Sequence, residues 1–124
     1  MKKRHVIALL LCTLMLTACG GGKPKEMDAQ TYELGVKAVE LAQDFLDKKL
    51  PADEASDKIH DVYDDIKALN FDPREEQKKD YYNSMVKTKV LSFTIDLFSG
   101  NTEYEMNKQV EEDLKELKDY LGIK

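Results

Sequence analysis

From residue 28 onward the apolar positions recur at three- and four-residue intervals, the period that lines one face of an α-helix. A first helix is predicted from about Ala29 to Lys49, with Tyr32, Val36, Val39, Ala42, Leu46 and Leu50 along one stripe and Phe45 beside it. Pro51 ends it, because proline disfavours helical backbone in the residue before it. A second helix starts near Ala52, where Asp53 and Glu54 complement the helix dipole, and its seam is Ala55, Ile59, Val62, Ile66 and Leu69. The break at Asn70-Phe71-Asp72-Pro73 carries a restart signal, with Asp72 as N-cap, Pro73 at the first helical position and Glu75 at the third. Gly100-Asn101 closes the third helix. Thr102, with Glu105 three residues on, caps a fourth whose seam is Asn107, Val110, Leu114, Leu117 and Leu121.

The third helix holds an ambiguity. Leu91, Phe93, Ile95 and Leu97 alternate with Ser92, Thr94 and Asp96, as in a strand. At 100° steps, however, Val90, Leu91, Phe93, Ile95, Leu97 and Phe98 share an arc of about 200°. No other segment offers a strand partner, and a lone strand leaves its backbone unsatisfied. The helix reading stands. The predicted fold is all-α: an up-and-down bundle of four helices in two hairpins, because short breaks force sequential helices antiparallel. A shift of 51 residues superposes the two hairpins in plan, with Val39 on Val90 and Ile59 on Val110, though with few identities. A small domain needs its large apolar residues inside. Leu91, Phe93, Ile95, Leu97 and Phe98 are therefore expected in the core, the third helix touching all three others and the domain monomeric; the alternative is that part of the arc stays exposed and drives pairing of two copies.

The N-terminal segment follows other rules. Lys2, Lys3 and Arg4 precede an apolar run from Val6 to Leu16 that is interrupted by Cys12 and Thr13. That run is too short for a membrane span, which needs about 20 residues. A charged start, a short apolar stretch and a small-residue exit describe a cleaved export signal. Leu16-Thr17-Ala18-Cys19, followed by Gly20-Gly21-Gly22, resembles the lipobox of bacterial lipoproteins. The resemblance implies cleavage between Ala18 and Cys19 and a covalent lipid on Cys19. It also implies a place on the extracytoplasmic face of the cell membrane, or on the outer membrane of a Gram-negative host. The expected organisation is a signal peptide over 1–18, the lipidated cysteine and a flexible tether over 19–27, and a helical domain over 28–124. Eight glycine- and proline-containing tether residues reach at most about 28 Å.

Processing changes the charge. Cleavage removes 18 of the 124 residues, with three of the 19 basic residues and none of the 24 acidic ones, moving the formal charge from −5 to −8. Such a domain lacks the basic footprint of a nucleic-acid binder and is repelled by anionic lipid, so the membrane is expected as a partner only through the lipid on Cys19. Cys12 leaves with the signal and Cys19 carries the lipid, which leaves no thiol for a disulfide, a nucleophile or a zinc site.

Chemistry is thin elsewhere. His60 is the single histidine past the leader, and the serines lack a glycine-flanked elbow. The carboxylates Asp61, Asp64 and Asp65, and then Glu111, Glu112 and Asp113, fall on polar helix faces without a calcium loop. No metal, cofactor or catalytic residue is expected, and the protein is not read as an enzyme. Six tyrosines and no tryptophan are the remaining oddity. Tyr81 and Tyr82, with Lys78 nearby, form the surface expected to meet a protein partner at the cell envelope, since tyrosine is enriched at interfaces. The expected role is a non-enzymatic interaction or structural module. The alternative is a small-ligand carrier or enzyme accessory subunit whose site lies between the helices, lined by Phe45, Phe93 and Phe98.

Overall fold

The computed structural model describes residues 27–69, 76–99 and 102–124, with the side chains of the third helix described from 81 to 98. Expectations that rest on Ala18, Cys19, Asp72, Pro73 and Glu75, and on the side chain of Lys78, lie outside the described residues. Helices α1 (Ala29–Leu46), α2 (Ala52–Lys67), α3 (Glu76–Ser99) and α4 (Glu103–Leu121) form an up-and-down four-helix bundle. The α3 helix packs on each of the other three, whereas α2 and α4 share no contact among the described residues. The order around the bundle is thus α1-α2-α3-α4, with α1 and α3 across a diagonal. Tyr81, early in α3, bonds to Tyr120, late in α4, as antiparallel neighbours must. The start of α1, the end of α2, the start of α3 and the end of α4 therefore share one end of the bundle.

Local chemistry sets the helix ends. Asp28 caps α1 by accepting from the Gln30 amide at 3.0 Å, and Thr102 caps α4 by accepting from the Glu105 amide at 3.1 Å. The α4 helix ends at Gly122, whose φ of 71° lets the Ile123 amide reach back to the Lys118 carbonyl at 2.9 Å. That is a Schellman turn with glycine in its usual left-handed place. The same turn ends α1, but with Lys48 at φ 60°. There the Lys48 amide donates to the Phe45 carbonyl and the Lys49 amide to that of Asp44, at 3.0 and 2.8 Å. The helix accordingly stops at Leu46, before the predicted Lys49 and well short of Pro51.

The seams of α2 and α4 are those the spacing predicts except at one end of each: Ala55, Ile59, Val62 and Ile66 face Val110, Leu114, Leu117 and Leu121 across a shared core, while Leu69, past the end of α2, and Asn107 are only partly buried. The stripe on α1 is rotated. Thr31, Gly35, Ala38, Val39, Ala42 and Phe45 are buried, while Tyr32, Val36 and Leu46 pack at the margin. Small side chains let α3 and α4 approach the α1 backbone, so the thin face of that helix turns inward. In α3 the core takes Val86, Val90, Phe93 and Leu97. Leu91 is half-buried, and Ile95 and Phe98 are 55% and 89% exposed, contrary to the expected burial of all five residues. The reason is geometric. A bundle helix buries one stripe, and the 200° arc of α3 is wider than its three neighbours cover.

Candidate functional site

The outward side of α3 carries the features that the core does not use. Steps of three and four residues from Tyr81 run through Ser84, Thr88, Leu91, Ile95 and Phe98, with Ser92 beside them. All are at least partly accessible. None is charged, on a chain in which 35% of residues are. The hydroxyls on this side turn back onto their own helix. Thr88 donates to the Ser84 carbonyl at 2.7 Å, Ser92 to the Thr88 carbonyl at 3.0 Å, and Thr94 to the Leu91 carbonyl at 2.7 Å. Such internal pairing leaves methyl and methylene groups outermost, so the stripe behaves as an apolar surface despite its serines and threonines.

One end of the stripe is aromatic. Tyr81 and Tyr82 meet edge-to-face with centroids 5.5 Å apart, and Tyr82 meets Tyr120 of α4 at 6.3 Å. The Tyr120 hydroxyl donates to that of Tyr81 at 3.0 Å. That bond favours the neutral phenol and, with some burial and the neighbouring tyrosines, pushes Tyr120 up to about 12. The structure thus places Tyr81, 57% exposed, in an ordered trio. Tyr120, from 39 residues away, is the member that sequence spacing could not supply.

The other end is aliphatic and phenyl. Ile95 and Phe98, with Thr94, line a shallow hollow of about 440 Å³ against Ser56, Asp57 and His60 of α2. His60 is exposed, edge-on to the Tyr63 ring at 5.9 Å and 3.7 Å from Asp64. Phe45 lines a separate hollow of about 560 Å³ with Leu50 and Met106, while Phe93 is sealed in the core. The three phenyl groups named for a ligand site therefore do not share a cavity.

A polar cluster bridges α3 and α4 beside the stripe. Lys89 pairs with Glu116 and lies 3.9 Å from Asp113. Asp96 hydrogen-bonds to Asp113, and its Oδ2 is buried without a partner among the described residues. Burial first, then the bond and the like charge of Asp113, raise Asp96 from 3.8 to about 7, against the lowering pull of Lys89. Because the folded-state value is raised, the stabilising contribution is complete below about pH 4 and is lost as pH rises through about 7. Asp96→Asn is expected to remove this dependence. The gain at pH 8 is on the order of 1 kcal/mol after discounting for solvent screening. Thermal melts of both proteins at pH 5 and pH 8 check it: equal shifts would show that Asp96 ionises in the bundle without cost.

Comparisons with protein-family models, curated proteins and solved structures give no match. Among the described residues, no group of three or more His, Cys, Asp or Glu could hold a metal ion, and no helix is long and apolar enough to cross a membrane. The features that remain are the stripe on α3, its tyrosine trio and the polar cluster that bridges α3 and α4.

Proposed function

We propose that the protein is a lipid-anchored, non-enzymatic interaction module on the extracytoplasmic side of a bacterial membrane. Support for the anchor comes from the run Leu16-Thr17-Ala18-Cys19 behind a short basic-apolar leader. Two or three acyl chains on Cys19 would suffice, since each buried methylene contributes about 0.8 kcal/mol and two chains already anchor stably. The interaction half rests on one observation. Phe98, Ile95 and Tyr81 stand exposed along a single uncharged helix face, where an acidic bundle of this size has ample charged residues to spend.

Cys19→Ala tests the anchor. The mature wild-type chain should begin at Cys19, carry acyl groups by mass spectrometry and take up a palmitate probe in growing cells. The variant should carry no acyl group and take up none. Equal incorporation by Cys19→Ala would overturn the anchoring reading.

A further inference from the structure

Apart from Lys87, which borders the stripe on α3 itself, the charged residues on the helices flanking the stripe have one prevailing sign. On α2, Asp53, Asp57, His60 and Asp64 follow one another at steps of four, three and four, all exposed, and Asp57 lines the hollow that Ile95 and Phe98 share. On α4, Glu105, Gln109, Glu112 and Glu116 repeat the same steps and are also exposed. Glu112 acts on Asp96 and Glu116 pairs with Lys89, which puts this second ridge on the α3 side of its helix. The stripe therefore runs between two acidic ridges, with Lys89 and Lys67 engaged by Glu116 and Asp64.

We infer that this face docks a basic amphipathic helix, in a deepening of the interaction reading above. The chemistry selects that occupant. An apolar seam laid on Tyr81, Leu91, Ile95 and Phe98 would bury the exposed aromatic and aliphatic groups. Lysines or arginines on its two flanks would then reach the carboxylates of α2 and α4. Covering Thr88, Ser92 and Thr94 strands none of their hydroxyls, which already have backbone acceptors. Tyr81 and Phe98 are 17 residues apart, so the seam is about 26 Å long and matches some five turns of a partner helix. A second copy of this chain fits poorly, since pairing the stripes would bring four acidic ridges together. An anionic bilayer is refused for the same reason.

The test uses the full chain, produced in a bacterial host and held in zwitterionic detergent micelles, with empty micelles as blank. The probe is a fluorescent 18-residue peptide of leucine and lysine with leucines at helical three-four spacing. Two controls accompany it: the same composition in scrambled order, and the counterpart with glutamate for lysine. The amphipathic basic peptide should bind, and its affinity should fall steeply with salt. The pair Ile95→Ser with Phe98→Ser should weaken it at least tenfold while circular dichroism stays unchanged, as exposed positions allow. Asp53→Lys with Asp57→Lys should weaken it independently through charge. Binding undiminished by the serine pair, or equal binding of the scrambled peptide, would overturn the proposal. So would a concentration-dependent dimer, abolished by Phe98→Ser, in sedimentation of the same sample. The mass of that sample reports lipidation at Cys19 separately, so failure of the anchor and failure of the docking face are told apart.

Discussion

Phe93→Ala should remove about 3–5 kcal/mol of folding stability, a large share of what a domain of this size possesses. Phe93 is fully buried in α3, which touches each of the other three helices. Truncation therefore leaves a void that no single helix can close by shifting. For a domain of about 100 residues the melting temperature should drop by roughly 15 °C or more. The control lies five residues along the same helix. Phe98→Ala removes the same atoms from a ring that is 89% exposed and should change stability by no more than about 0.5 kcal/mol. Thermal melts followed by circular dichroism decide it: similar losses for the two variants would mean that the division of α3 into core and outer faces is wrong.

Gly35→Val should cost about 2–4 kcal/mol, for the opposite reason of too little room. A Cβ at this position would lie 2.9 and 3.1 Å from the two methyls of Leu121 and 3.3 Å from a methyl of Val86. Both neighbours are fully buried, so the end of Leu121 can give by a few tenths of an ångström but not by the width of a branched side chain. Gly35→Ala is expected to fall within about 1 kcal/mol of the parent. Its gain in helix propensity, about 1 kcal/mol, offsets the displacement of a flexible leucine end. The branched side chain of valine exceeds that allowance. Denaturant midpoints of the two single variants, and of each combined with Leu121→Ala, give the coupling directly. Additivity within about 0.3 kcal/mol in the double variants would show that α1 and α4 do not meet through Gly35 and Leu121.

These two sites also show what could be read from the chain beforehand. The α2 and α4 seams were legible because branched aliphatic residues recur there at regular spacing against strongly charged faces. The inward face of α1 was not, because it is made of Thr31, Gly35, Ala38 and Ala42, and hydropathy favours the larger residues that end up at its margins. The end of α1 was hidden for a related reason. Its left-handed turn is made by Lys48, and nothing in a lysine announces a positive φ. On α3 the apolar arc was visible in full, but only contact with three neighbours decides which part is covered. Val86, Val90, Phe93 and Leu97 fill the core, leaving Ile95 and Phe98 outside. The candidate surface was legible at Tyr81 and Tyr82 and hidden where the bundle assembles it. Thr88, Ser92 and Thr94 read as ordinary polar residues until their hydroxyls are seen to be engaged with the helix backbone. Asp96 reads as a solvated carboxylate until α4 brings Asp113 against it.

The chain enters α1 at the bundle end that holds Tyr81, Tyr82 and Tyr120, while Phe98 lies toward the opposite end. If Cys19 is held in a bilayer, the tether is no longer than the bundle itself, and the docking face becomes a post rising from the membrane. A partner that is itself bound to the same surface then searches in two dimensions within a thin layer. Over such short leashes the effective concentration is about millimolar. Affinity that looks modest in dilute solution would be enough for near-complete occupancy, and releasing either molecule from the bilayer would dissolve the complex without altering a single contact.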